Sequence, residues 1–201
     1  MRVCIVGGGG GANNAANVIR RLDKEAQIDL FDKRSEIGHE PCEIPYVLSG
    51  FLPSWQDSFV FRPKFYNERN INVHLNTEVT DIIREEKRLI AGGESYSYDK
   101  AILDLGSTPT IPPVQGLDGR NEFVLDTSLS TARILEKAIP RHSSAAIVGV
   151  GQIALDIAEV LQARNYDRIY LIGRADRVLR AYLDKDMAEI VKARIEQRGI
   201  E

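Results

Sequence analysis

The chain opens on a strand-like run, Arg2-Val-Cys-Ile-Val6, that breaks into five consecutive glycines, Gly7 to Gly11. A β-branched apolar run of this kind suits a fully buried parallel strand, and the glycines after it suit a turn. A helical period follows, with Ala12, Ala15, Ala16, Ile19 and Leu22 on one face and Asn13, Asn14, Arg20 and Arg21 elsewhere. A second apolar run, Ile28 to Phe31, then ends at Asp32. Strand, glycine turn, helix, strand and terminal acid is the order of a dinucleotide-binding βαβ unit, with Gly7, Gly9 and Ala12 at the three positions of G-x-G-x-x-G/A. Gly7 permits the sharp turn, Gly9 has no Cβ to hold a pyrophosphate off the backbone, and Ala12 lets helix and strand pack closely. Gly8 and Gly11 complete a cradle whose amides face the phosphates, while Asp32, about 20 residues on, suits a ribose diol. The bland alternative is a glycine-rich turn that binds nothing.

The same pattern returns in the second half. Ala145 to Val148 reads as a strand, and Gly149, Gly151 and Ala154 occupy the fingerprint positions, with Gln152 and Ile153 between them. Ile153, Ile157, Val160 and Leu161 form the expected buried face of the next helix, and Ile169 to Ile172 the next strand. Two such turns imply two dinucleotides, and a single structural glycine turn would not explain the repeat. The acid that ends the first unit is replaced here by Gly173, followed by Arg174, Arg177 and Arg180. A carboxylate would bond a ribose 2′-hydroxyl and repel a 2′-phosphate, whereas glycine with arginines reverses the preference and favours NADPH over NADH. A solvated basic loop is the plain alternative.

Between the turns lie a polar loop, Lys33 to His39, and then Cys42, expected near the first glycine turn because ligand crevices open beyond the carboxyl ends of parallel strands. Phe51, Trp55, Phe59 and Phe61 read as local core, and Pro63 to Arg69 as a short helix with proline in its first turn. Arg88 to Tyr98, turning at Gly92-Gly93, reads as a hairpin, and Ala101 to Gly106 as a buried strand. The stretch from Pro109 to Gly119 is the best boundary, dividing the chain into domains 1–110 and 111–201. A helix from Ser128 to Ile139, capped by Ser128 or Thr127, and another from Asp186 to Gln197 complete the reading. The second unit would then stop where another parallel strand should start.

With 201 residues, 43% of them hydrophobic and 27% charged, the chain has the make-up of a globular protein with a sizeable core. A formal net charge of -3 gives no basic field for nucleic acid or anionic membrane. No apolar stretch reaches the length of a membrane span, so a cytoplasmic location is expected. Cys4 and Cys42 are too few for a disulfide scaffold or a four-ligand zinc site, and Cys4 reads as a core residue of the first strand. His74 and His142 have no partner at metal spacing, so no metal is expected.

The segment Cys42-Glu-Ile-Pro-Tyr46 after the acid-ended strand resembles the single-cysteine branch of the pyridine nucleotide-disulfide oxidoreductases, which holds coenzyme A-disulfide reductases, NADH oxidases and NADH peroxidases. Cysteine, proline and tyrosine match; the serine and asparagine usual before the cysteine are replaced by Gly38 and Pro41, and the usual Ala-Thr-Gly by Asp104-Leu105-Gly106. The resemblance implies an α/β fold: a Rossmann-like FAD-binding domain with a small antiparallel β insertion, followed by the start of a second Rossmann-like NAD(P)-binding domain. It assigns FAD to the first turn, with Lys33, Val79 and Gly106 joining the glycines and Asp32, and the nicotinamide nucleotide to the second. A hydride would pass from NAD(P)H through FAD to a sulfur centre at Cys42. Arg21, with Asn14 on the same helix, would hold the phosphates of coenzyme A. The implied substrates are coenzyme A disulfide or a persulfide; the alternatives are peroxide or oxygen reduced through a Cys42 sulfenic acid, or a truncated module without turnover. Helix-end amides or His39 would favour a Cys42 thiolate, while Glu40 and Glu43 oppose it. Family chains are more than twice as long and are expected to form homodimers.

Overall fold

The computed structural model describes residues 1–201. Strand β1 (Arg2–Val6), helix α1 (Gly10–Leu22) and strand β2 (Gln27–Phe31) form the expected βαβ unit, with β1 and β2 parallel and Val6 opposite Phe31. Helix α2 (Ile44–Ser49), helix α3 (Pro63–Glu68) and strand β3 (Ile71–His74) follow, then strands β4 (Val79–Ile83), β5 (Arg88–Ala91), β6 (Glu94–Ser97) and β7 (Lys100–Leu103). The later elements are α4 (Leu129–Ala138), β8 (Ser144–Val148), α5 (Gln152–Ala163), β9 (Arg168–Ile172) and α6 (Lys185–Gln197). The sheets run β3-β2-β1-β7, all parallel, β4-β5-β6, antiparallel, and β8-β9, parallel.

Two compact units result. One comprises Met1–Glu40 with Gln56–Thr110, the other Pro41–Trp55 with Ile111–Glu201. Thr110 and Ile111 thus fall in different units, and the segment Pro41–Trp55 groups with the residues from Ile111 onward.

In the first unit the period-two alternation of β1 and β2 makes two cores. Val3, Ile5, Ile28 and Leu30 pack with Ala12 and Ala16 of α1, while Cys4, Val6 and Phe31 pack with Leu89 and Ala91 of the antiparallel sheet. Cys4 is fully buried, as expected, and burial together with the nearby Asp29 carboxylate, against Arg2, pushes its thiol up to about 11. It is an inert packing group.

The helix faces need correction. Leu22, expected inside, is 84% exposed, and Asn13, expected outside, is fully buried. The end of α1 is held instead by Arg20, whose guanidinium donates to the carbonyls of Asp23, Lys24, Arg69 and Asn70. Ile153, expected on the buried face of α5, is exposed in that helix's first turn, and Phe51 is exposed rather than core. Ser128 caps α4, accepting from the Thr131 amide. Beyond α6, Ile200 forms a parallel bridge to Ile169 of β9, with the Leu171 amide donating to Glu201 O and the Glu201 amide donating to Ile169 O.

Candidate functional site

The two glycine turns share one geometry. Gly7 leaves β1 at φ +105° and donates its amide to Phe31 O at 2.8 Å; Gly149 leaves β8 at φ +140° and donates to Ile172 O at 2.8 Å. Gly9 and Gly151, both extended, are the N-caps of α1 and α5. A side chain at Gly7 is excluded twice over, since its Cβ would also stand 1.9 Å from Asp104 O. A Cβ on Gly8 would stand 2.2 Å from Ile37 Cγ2 and 2.8 Å from Asp32 Oδ2, so the loop after β2 closes directly over the turn.

Asp32 is buried at the end of β2, where its carboxylate accepts from the Gly8 amide at 2.6 Å and from the amide and guanidinium of Arg34. Burial alone would raise its pKa, but these donors outweigh it and hold the carboxyl below its usual value. Thr77 donates to Asp32 O and Asn76 to Arg34 O, which brings the chain leading to Val79 alongside the acid. Lys33 is exposed and 3.9 Å from Glu78. Gly106, at φ +71°, lies beyond β7 in open space.

Two side chains of the first turn show what they do only in the structure. Asn13 donates to the Gly8 and Gly9 carbonyls at 3.0 and 2.8 Å and accepts from the Tyr66 hydroxyl at 2.7 Å, so a buried amide rigidifies the turn from beneath. Tyr66 is itself buried, which raises its phenol pKa. The second is Asp104. Its amide bonds Val6 O, continuing the register of β7 against β1, and its carboxylate Oδ2 accepts from the Ala12 amide at 2.7 Å.

On α1, Asn14 is exposed and back-bonds to Gly10 O, and Arg21 is exposed with no hydrogen bond or ion pair. In the second unit no atom lies within 4 Å of a Cβ position on Gly151, leaving open space over the turn beside Gln152, Ile153 and the buried Ala154. Gly173 is covered by Val150, whose Cγ1 would stand 2.7 Å from an added Cβ. Arg177 turns inward to the Leu183 carbonyl and Asp176; Arg180 lies 3.7 Å from Asp176, and Arg174 is exposed to solvent.

Cys42 is exposed within a single 3-10 turn, Pro41–Glu43, that runs into α2, and forms no disulfide. The segment is anchored within the second unit: Arg164 of α5 donates to Leu48 O at 2.7 Å, and the Trp55 indole donates to Glu136 of α4 at 2.8 Å. Tyr46 packs against Phe51 with ring centroids 5.6 Å apart. His39 is buried in the first unit, bridged to Phe59. No group of acids, cysteines and histidines is arranged to hold a metal, and no helix is long and apolar enough to cross a membrane.

A repeated dinucleotide-type βαβ turn, with a Cys-x-x-Pro-Tyr segment between the copies in sequence, sets the class of fold. The chain belongs to the pyridine nucleotide-disulphide oxidoreductase family, which it matches over residues 1–201. It is 35% identical to an NADH oxidase of Methanocaldococcus jannaschii, covering 100% of this chain and 46% of that one. It is 33% identical to a coenzyme A-dependent NAD(P)H sulfur oxidoreductase of Pyrococcus furiosus, covering 98% of this chain and 45% of that one. The solved structure of an NAD-dependent persulfide reductase from A. fulgidus superposes with a TM-score of 0.91 at 27% identity, over 100% of this chain and 39% of that one. The chain thus spans a little under half the length of the curated relatives it matches.

Proposed function

We propose that the chain carries the first FAD-binding segment and the nicotinamide-binding turn of an NAD(P)H-dependent reductase whose sulfur centre is Cys42. The observation that carries this reading is the repeated turn, alike in backbone path at Gly7 and Gly149. The donor set fits a flavin dinucleotide: close-approach glycines, helix-end amides and a buried acid at the ribose end, with Asp104 alone standing in the phosphate path. When bound, FAD accepts a hydride from NAD(P)H and relays two electrons to sulfur. Gly7, Gly8, Gly9, Gly11 and Ala12 would take the pyrophosphate, Asp32 and Lys33 the adenosine ribose, and Val79 and Gly106 the flanks. Gly149, Gly151, Gln152, Ile153 and Ala154 would cradle the nicotinamide nucleotide, with Gly173, Arg174 and Arg180 admitting a 2′-phosphate and so favouring NADPH.

Cys42, as thiolate, attacks one sulfur of coenzyme A disulfide, expelling the other as a thiolate and leaving a mixed disulfide that the two electrons then reduce. Arg21 and Asn14, both exposed on α1, would bind the coenzyme A phosphates. The 35% identity to an NADH oxidase supports a second reading, in which peroxide, supplied as such or formed by two-electron reduction of oxygen, transfers one oxygen to the Cys42 thiolate with loss of hydroxide, and two electrons from NAD(P)H return the sulfenic acid to thiol and water. Small-molecule substrates, a cytoplasmic setting and a homodimeric full-length enzyme belong to the same proposal, as do the domain limits 1–110 and 111–201.

Titration calorimetry of the purified chain is expected to find one site for FAD and one for NADPH; binding of neither sinks the reading. Cys42→Ser is expected to lower NADPH-driven reduction of coenzyme A disulfide about a hundredfold or more. The measurement holds for this chain or any longer protein containing it, and retained disulfide reduction with lost oxygen or peroxide turnover selects the second reading.

A further inference from the structure

Asp104 holds the position that a dinucleotide pyrophosphate needs. A pyrophosphate bound to this turn lies over the second glycine and on the first amides of the helix. Asp104 Oδ2 accepts from the Ala12 amide at 2.7 Å and lies 3.1 and 2.9 Å from the points where Cβ atoms of Gly9 and Gly11 would stand. The same carboxylate therefore lies over the second fingerprint glycine, over Gly11 beside it and on the Ala12 amide. Register puts it there. Val6 pairs with Leu103, the last residue of β7, so Asp104 after it falls beside Gly7, and its side chain projects over the amino end of α1. The corresponding space over Gly151 in the second unit is open.

The local charges make the occupancy consequential. Asp32 is the other carboxylate on this turn, and its donors are already the Gly8 amide and Arg34. Of the two cations after β2, Arg34 is engaged by Asp32 and Lys33 lies 3.9 Å from Glu78. A pyrophosphate arriving here would thus meet an unneutralised like charge in contact distance and find the Ala12 amide already bonded.

We propose that Asp104 is an internal anion that competes with the FAD pyrophosphate for the amino end of α1, so that flavin binds only as this carboxylate swings off the Ala12 amide. The inference rests on the flavin reading of the first turn. It makes Asp104 a specificity-determining residue that weakens flavin retention, and it assigns a role to a position where the family resemblance is broken.

Flavin fluorescence titration of the purified chain tests it with Asp104→Ala, which removes the side chain, and Asp104→Asn, which keeps the shape and an acceptor but not the charge. Both variants are expected to bind FAD about tenfold or more tightly than the parent, with NADPH affinity unchanged. Asp104→Asn preserves the contact with Ala12, so it reports on the charge even if Asp104→Ala folds poorly. Equal FAD affinity in parent and variants overturns this inference and leaves the flavin reading standing. FAD binding by none of the three overturns both.

Discussion

Asp32 shows how much one buried side chain does in this fold. It ties the glycine turn to the loop after β2 through Gly8 and Arg34, and its carboxyl is held below the ordinary value despite its burial. A carboxyl that titrates lower when folded stabilises the protein fully above about pH 4 and loses that contribution as pH falls through the folded value. Asp32→Asn is expected to cost about 2 kcal/mol near neutral pH, the usual worth of hydrogen bonds to a charged group. Its thermal midpoint should also fall less steeply than the parent's below about pH 5, and parallel pH profiles would refute the assignment. The acid was legible in the sequence because position and residue type coincide in the fingerprint. Asn13 was not, because a buried asparagine on an amphipathic helix looks like any solvent-facing one until the carbonyls it serves are located. Asp104 was legible as a departure from a pattern, but its consequence depends on strand register, which no local signal carries.

Elements show the same division. The strands and helices around both turns follow from short apolar runs, glycines and helical spacing, because those signals are local. Local signals also give the three antiparallel strands, β5 and β6 through their Gly-Gly turn and β4 through its apolar run, whereas the register shift between Val79 and Asp81 by which β4 joins them is tertiary. Helix α2 is the larger surprise. Its six residues bury Ile44, Val47 and Leu48, and Arg164 fixes its carboxyl end through the Leu48 carbonyl. That affiliation is tertiary and invisible to a reading that places a loop with the strand it leaves. Arg164→Ala removes a charge-assisted bond worth at least about 1.4 kcal/mol, the equivalent of a tenfold change in an opening equilibrium. Amide exchange over residues 44–52 is expected to quicken about tenfold while β1 and β2 stay protected. Unchanged exchange there would mean that packing alone holds the segment carrying Cys42.

Across the whole molecule one backbone device is used twice with opposite charge. The first turn meets two carboxylates, Asp32 and Asp104, whereas the second ends on Gly173 with Arg174 and Arg180 exposed after it. Backbone similarity makes both turns dinucleotide-type; on the proposed reading it is the side chains at the strand ends that distinguish their ligands. The packing of Val150 on Gly173 strengthens the asymmetry, because restoring the acid there would require Val150 to give way by most of an ångström. Arginine exposed in this loop meets a 2′-phosphate as a charge-assisted hydrogen-bond donor and gains little from a 2′-hydroxyl. Replacing both Arg174 and Arg180 by alanine is therefore expected to weaken NADPH about tenfold or more and NADH by less than about threefold. The parent's preference for NADPH should also shrink as salt rises from about 0.05 to about 0.5 M, since the interacting charges face solvent. Fluorescence titration with the two nucleotides measures all four affinities in one series. Equal losses for NADPH and NADH would assign these arginines to the shared pyrophosphate or to the solvated loop, and the 2′-phosphate preference would have to be abandoned.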